Sequence, residues 1–189
     1  MANSPDQHAI TPATAPVLLD GIELPSQING QDWLSSWHAP TVVPEGTRHG
    51  AAGICVTPQG AILLVSSDGT RWELPGGRPE GAETWAQTLQ REVREEACAK
   101  VLSARLLGFY RGRCVRGPQQ GLILVRAVFR AEVLLEPWKP QFETRQRKAV
   151  AASEVLPHFA PDDGHLPAYR RALREAGVSI PAITRNPRG

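Results

Sequence analysis

Three glutamates, Glu92, Glu95 and Glu96, have the residue type and spacing that best suit chemistry in this sequence. On a helix they would project within roughly 100° of one another, since each residue turns the helix by about 100°. Like charges so spaced repel, which costs on the order of a few tenths of a kcal/mol per pair. A cation should offset this repulsion: either Arg91 or Arg94, or a divalent ion such as Mg²⁺, which takes oxygen ligands and shares its coordination with phosphates.

A glycine-rich loop, LPGGRPEG at residues 74–81, leads directly into this segment. Glycines there would let backbone amides and carbonyls approach a metal ion or a phosphate. Taken alone, a glycine-rich loop is weak support, and three glutamates are more often a solvated helix face. The two features together predict a cleft beside the carboxylates.

The elements that would position these residues are a helix and several strands. Between Glu83 and Ala97 there is no Gly or Pro, and apolar residues recur at helical spacing, which predicts a helix with one buried face. Strands are predicted in GAAGICVT, AILLV, the short segment WEL, VLSARLLGFYRGRC and LILVRAVFRAEVLL, with a loop at PGG. A last helix is predicted over Leu166–Glu175, ended by Gly177. This order predicts an α+β domain, in which helices cover a mixed sheet in an α/β/α arrangement.

Residues 1–44 are rich in Pro, Ala, Gln and Ser and are predicted to be a partly ordered extension. Within it, Asp32 could cap a helical turn carrying Trp33, Leu34 and Trp37 on one side. That side would dock on the main domain or, as the less favoured alternative, on a second copy in a homodimer. The main domain is predicted at residues 45–178, and residues 179–189 are a tail.

The segment from Gly77 to Ala99 resembles the Nudix box, in which Gly, Glu and an Arg-Glu-aliphatic-any-Glu-Glu run stand at fixed spacings. Here Gly77 is followed by RPEGA, then Glu83, then TWAQTLQ, then REVREEACA. Every charged position of the pattern is filled, and the preceding LPGG extends the match. Cys98 stands where the family has Gly, and Ala99 where a larger aliphatic is usual, which affects the turn that ends the helix more than the carboxylates.

The resemblance implies a Nudix-like α/β/α sandwich and roles for individual residues. Glu92, Glu95, Glu96 and the carbonyl of Gly76 would hold Mg²⁺, for which Mn²⁺ substitutes. Arg91 would orient the glutamates through charge-assisted hydrogen bonds, and Glu83 would support it. The predicted catalytic set is Arg91, Glu92, Glu95 and Glu143; within it the general base is Glu92 in the box or Glu143 from a later loop.

Candidates for substrate binding are less well defined. Guanidinium groups and an indole suit phosphates and bases, which makes Arg71, Trp72 and Arg111 candidates beside the loop residue Gly77. Arg113 and Arg116 are weaker candidates of the same kind. A solvated strand edge or loop is the blander interpretation of each arginine.

Bulk properties exclude several classes of protein. A chain of 189 residues accommodates one domain with extensions, and 21 basic against 19 acidic residues produce no global field, which argues against nucleic acid as the partner. No apolar run is long enough to span a bilayer, and three widely spaced cysteines suggest reduced thiols, so a cytoplasmic location is expected.

The function that follows is metal-dependent hydrolysis of a diphosphate linkage in a nucleoside diphosphate derivative or a nucleoside triphosphate, by a small-molecule pyrophosphohydrolase. The alternative is a catalytically silent Nudix-like domain that senses nucleotides or binds a protein. An isomerase of the same fold acting on a prenyl diphosphate is disfavoured, because only the shared box speaks for it.

Overall fold

The computed structural model describes residues 17–140, 142–160 and 164–179. The strands are β1 Leu24–Ile28, β2 Gln31–His38, β3 Thr47–Val56, β4 Ile62–Ser66, β5 Gly76–Gly77, β6 Ala99–Arg116, β7 Ile123–Leu135 and β8 Gln146–Val150. The α-helices are α1 Trp85–Ala97 and α2 Leu166–Glu175, and short 3₁₀ helices span Ala152–Glu154 and Leu156–His158. Residues 1–16 and nearly all of the predicted tail lie outside the described residues.

All eight strands belong to one mixed sheet. Seven follow the order β1-β2-β6-β7-β3-β4-β8, and β5 pairs with β3 off this path. The β3 and β7 strands run parallel, and the other named pairs are antiparallel. The predicted mixed sheet is confirmed.

The two α-helices cover opposite faces of this sheet. Successive strand side chains point to opposite faces, so Leu63 packs with Leu89 of α1, whereas Leu64 packs in the cluster that contains Leu173 of α2. This arrangement confirms the predicted α/β/α sandwich. In the described part of the chain the helices have 13 and 10 residues, and neither is long and apolar enough to cross a membrane.

The predicted helical turn at Trp33–Trp37 is wrong, because β2 occupies these residues and pairs with β6. The two indoles lie four residues apart on one strand, and both are buried within their own chain, at 4% and 0% exposed. Docking on the chain's own domain is thus the observed outcome, and these side chains are not left free for a second copy. The predicted boundary at residue 44 falls in the loop between β2 and β3 of a single sheet.

Two further strands differ from the prediction. The expected loop at PGG contains β5, where Gly76 pairs with Ala52 and Gly77 with Ala51. A Cβ at Gly76 would collide with the carbonyl oxygen of Ala51, so only glycine can approach β3 this closely. The second strand, β8, has the polar sequence QRKAV and carried no strand signal; its pairing with β4 forms it.

Candidate active site

The helix that carries the glutamates is fixed at both ends. At its start the Thr84 hydroxyl accepts from the Gln87 amide at 3.2 Å, and the Gln87 side chain accepts from the Thr84 amide at 2.7 Å, a capping box. At its end Cys98 is left-handed, with φ 43° and ψ 55°, which is the helix-ending position predicted for it. Arg147 of β8 donates to the carbonyls of Ala97 and Cys98, each at 2.8 Å. The helix is therefore held in a defined position on the sheet.

Arg91 is the cation that offsets the carboxylate repulsion. Its Nη1 lies 3.1 Å from Glu92 Oε1 and 3.0 Å from Glu95 Oε2, and its Nε lies 2.9 Å from Glu83 Oε1. Its Nη2 also donates to the carbonyl of Arg78 at 2.7 Å, which ties α1 to the glycine-rich loop. One guanidinium thus orients the glutamates and anchors the loop beside them.

Glu83 forms the supporting contacts that the sequence predicts for it. Besides Arg91, it accepts from the Thr88 hydroxyl at 3.1 Å and from the Glu80 amide at 3.0 Å. The hydrogen bond from Arg91 is the main cause that lowers the pKa of Glu83 to about 2. Its carboxylate is therefore ionised and engaged in holding Arg91.

The glycine-rich loop lies against the carboxylates of Glu92 and Glu96. The Gly76 amide donates to Glu96 Oε2 at 2.9 Å, and a Cβ at Gly77 would overlap the carboxylate of Glu92. Burial raises the pKa of Glu96 to about 7 and also raises the pKa of Glu92. These two carboxyl groups are thus packed beside the loop in a poorly hydrated setting.

Two further acids lie near the box. The charge of the exposed Glu143 contributes to the raised pKa values of Glu92 and Glu96, so the later loop does bring it towards the site. The charge of Glu73 also raises the pKa of Glu96, and Glu73 is not among the site residues predicted from the sequence. The feature of the sequence that could have identified Glu73 is its position immediately before LPGG. Two backbone hydrogen bonds with Val65, at 2.9 and 3.0 Å, hold it there.

The carboxylates do not converge as a preassembled metal site. Across residues 17–140, 142–160 and 164–179, no three His, Cys, Asp or Glu side chains are grouped so that they could hold a metal ion. The reason is local: Arg91 is bound to Glu92 and Glu95, while Glu96 is turned to the Gly76 amide.

A cleft opens next to this loop on the α2 face of the sheet. It consists of two cavities of about 310 and 240 Å³ that share lining residues, among them Tyr110, Arg126 and His165. Glu73 lines the first cavity and Arg78 the second. Both belong to the segment that contacts the box, so the cleft and the carboxylates are neighbours.

The structure brings only some of the predicted substrate residues to this cleft. Arg71 and Trp72 line the first cavity, although the Trp72 ring is largely buried and the Lys148 ammonium lies 4.2 Å from its centroid. Arg111 does not line either cavity, because it is bound to Glu23 at 2.9 Å and to the Glu45 carbonyl at 3.1 Å. Gly77 lies instead against the box, at Glu92.

Other cleft residues were missed because they come from distant parts of the chain. Asn29 lies in the turn after β1, Tyr110 on β6, Arg126 on β7, and His165 immediately before α2. No spacing rule links residues so far apart, and only the sheet order makes them neighbours.

Comparison with known proteins agrees with this geometry. The NUDIX domain family model matches residues 47–173. The chain is 30% identical over 128 residues to the Bacillus subtilis (strain 168) protein named "Putative 8-oxo-dGTP diphosphatase YtkD", an alignment covering 62% of this chain and 76% of the relative.

Solved structures share the fold. A mutant of the Bacillus subtilis pyrophosphohydrolase BsRppH matches with TM-score 0.60 and 24% identity, covering 84% of this chain and 99% of that one. A NUDIX hydrolase from Nitrosomonas europaea matches with TM-score 0.55 and 23% identity, covering 71% and 93%. Because the family match spans well over half of the sequence and includes the box, this chain belongs to the NUDIX domain family and is an enzyme of the Nudix pyrophosphohydrolase type.

Proposed function

We propose that this enzyme hydrolyses a diphosphate linkage in a nucleoside diphosphate derivative or a nucleoside triphosphate, with Mg²⁺ as the metal ion and Mn²⁺ as a substitute. The observation that carries the proposal is the contact of Glu92 and Glu96 with the Gly76–Gly77 segment, at the edge of a cleft large enough for a small molecule. Carboxylates that are crowded together and partly desolvated need a counter-charge, and a divalent cation supplies it.

The residues present fit such an ion. Glu92, Glu95 and Glu96 supply hard oxygen donors, and the Gly76 peptide lies beside Glu96, as its amide hydrogen bond requires. Glycine at 77 lets the carboxylate of Glu92 lie directly against the loop, where a Cβ would collide with it. When bound, the metal would neutralise phosphate oxygens and lower the pKa of a water molecule that attacks phosphorus.

The chain's own residues would then orient the glutamates and remove a proton from the attacking water molecule. Arg91 holds Glu92 and Glu95 in one place, and Glu83 in turn holds Arg91. A general base works best when its pKa is near the operating pH, and burial moves the pKa of Glu92 in that direction. Glu92 is therefore our first candidate for the base, and Glu143 is the second.

The name of the Bacillus subtilis relative supports a nucleoside triphosphate within this substrate class. The cleft also suits a nucleotide: Tyr110, Tyr169 and His165 form an aromatic wall, with ring centroids of Tyr110 and His165 5.6 Å apart. Aromatic faces stack on bases irrespective of sequence.

A substrate panel tests the proposal. Nucleoside triphosphates and nucleoside diphosphate derivatives are incubated with the protein and Mg²⁺ or Mn²⁺, and released phosphate is measured after phosphatase coupling. We expect turnover of at least one compound, abolished by EDTA and reduced by orders of magnitude in Glu95→Gln. Nucleotide binding without turnover of any compound would instead favour the catalytically silent alternative.

A further inference from the structure

A group of four cationic or ionisable side chains lines the second cavity of the cleft: His49, Arg78, Arg126 and His165, named here the cationic pocket. Among the described residues that line this cavity, none is Asp or Glu. His49, Arg126 and His165 are partly buried, while Arg78 is exposed at the mouth. The pocket therefore concentrates positive charge in a recess that the box glutamates do not occupy.

The sheet assembles this pocket from separate elements. Arg126 on β7 stands opposite Gly50 of β3, one residue after His49. A Cβ at Gly50 would lie 3.4 Å from Nε of Arg126 and would overlap the Gly77 carbonyl, so glycine lets the guanidinium lie across β3. Arg78 follows directly on β5, and β5 pairs with the same stretch of β3.

The two arginines are not neutralised by neighbouring carboxylates. Neither guanidinium makes an ion pair or hydrogen bond with any residue in the described ranges, in contrast to Arg91, Arg111 and Arg113. Burial, together with the charges of Arg126, Arg78 and His165, lowers the pKa of His49 to about 4. The positive potential at this half-buried imidazole makes the recess favourable for an anion.

The pocket is also connected to the predicted hydrolytic site by a short segment of the chain. The Gly76 amide is bound to Glu96, and the carbonyl of Arg78 is bound to Arg91, whereas the Arg78 side chain lines the second cavity. Consecutive Cα atoms are about 3.8 Å apart, so this segment leads from the carboxylates to the pocket within two residue steps. A chain of phosphates is an anion that can span that distance continuously.

We infer that the cationic pocket binds a phosphoryl group beyond the two that the hydrolysed linkage joins, so the substrate carries three or more consecutive phosphates. Guanidinium groups match phosphate oxygens with two parallel hydrogen bonds, which accounts for two arginines and no lysine at this position. The inference rests on the proposed function for the place of hydrolysis. It narrows the substrate class to nucleoside triphosphates or longer polyphosphates, and disfavours a nucleoside diphosphate esterified to a neutral group.

Binding without metal or turnover tests the pocket by itself. Inorganic tripolyphosphate is titrated calorimetrically into the full chain in EDTA, at low and at high salt. We expect the native protein to bind it and Arg78→Gln and Arg126→Gln each to weaken binding about tenfold to a hundredfold, because charged hydrogen bonds are lost. Arg126→Lys should recover part of the loss, and binding should weaken with salt.

A matched control is Arg105→Gln, an exposed arginine whose side chain contacts, within the described residues, only the Glu175 carbonyl, at 3.3 Å. It removes the same charge away from the pocket and should bind tripolyphosphate as the native protein does. Cooperative thermal melting of each variant shows that it is folded. Arg78→Gln is expected to fold because Arg78 is exposed. No binding by the native protein, or equal binding by folded Arg78→Gln and Arg126→Gln, overturns the inference.

Kinetics with Mg²⁺ separate a failed pocket from a failed function. Arg126→Gln should lower kcat/KM about tenfold or more for a nucleoside triphosphate, and much less for a nucleoside diphosphate sugar. If the variant loses both substrates equally or neither, hydrolysis stands and the pocket inference is wrong. If no compound is hydrolysed while tripolyphosphate binding still depends on both arginines, the pocket stands and the proposed function fails.

Discussion

Replacing Glu96 by Gln should make the metal-free protein more stable, although it removes a carboxylate from the active site. Burial raises the pKa of Glu96 from 4.5 to about 7, so ionisation of this side chain opposes folding at higher pH. Since one pKa unit corresponds to about 1.4 kcal/mol, and the side chain keeps some contact with water, the ionised form costs about 2 to 3 kcal/mol. Gln keeps an oxygen that can accept the Gly76 amide and removes that cost.

The sign of the pH dependence follows from the raised pKa. The stability contributed by protonated Glu96 is fully present below pH 4.5 and is lost as the pH rises through about 7. Thermal melting in EDTA should therefore show Glu96→Gln about 5 to 10 °C above the native protein at pH 8, and a smaller difference at pH 5. Glu83→Gln should shift the other way, because the pKa of Glu83 is lowered and its ionised form is the one that the fold stabilises.

Adding metal should remove most of this difference. At a metal concentration a hundredfold above Kd, binding stabilises the native protein by about 2.7 kcal/mol, whereas Glu96→Gln should gain much less and lose hydrolysis by orders of magnitude. The same melting temperatures for both proteins at pH 8 in EDTA would refute the argument from burial. An equal gain from Mg²⁺ in both would show that Glu96 is not a metal ligand.

Three other changes test the remaining structural arguments. Cys98→Gly should leave activity unchanged and raise stability by up to about 1 kcal/mol, because Cys98 has positive φ; weaker metal affinity in calorimetry would reveal a role for the thiol. The pKa of the partly buried His49 is lowered from 6.5 to about 4, so the free energy of unfolding should fall by about 1 to 2 kcal/mol as the pH drops from 6.5 to 4. Thermal melting of His49→Gln at pH 4 and 7 should lack this loss, and an identical loss in the variant would refute the role of His49. Deleting residues 1–44 removes β1, β2 and the fully buried Trp37, so circular dichroism should show no cooperative melt; a folded truncated protein would mean that these strands are dispensable.

The sequence was sufficient for the parts of this protein that depend on local spacing. The limits predicted for α2, Leu166–Glu175, are those observed, and α1 begins at Trp85, within the segment predicted from Glu83. In both, the apolar residues recur with the helical period, and a cap or a glycine ends the pattern. The pairing of Glu83 with Arg91 was expected from the resemblance to the Nudix box, and the two side chains are in contact at 2.9 Å.

The N-terminal strands carry one local sequence signal, the Asn29-Gly30 pair. Asn29 and Gly30 both have positive φ, at 51° and 71°, as expected for a tight hairpin turn between β1 and β2. The spacing of Trp33, Leu34 and Trp37 fits a helix as well as a strand. Pairing with β6 decided between them, and no local pattern reports which distant strand edge is available.

The substrate cleft depended on tertiary structure alone. Arg111 and Arg126 are both arginines within long predicted strands, and nothing in their neighbouring residues distinguishes them. Glu23 neutralises Arg111, whereas Arg126 faces Gly50 and the cleft without a carboxylate partner in the described chain. Local periodicity determined the two helices and the strongly apolar strands, whereas β2 and β8 depended on their pairing partners. The order of strands in the sheet determines which charges become neighbours, because residues remote in sequence interact only after the sheet has assembled.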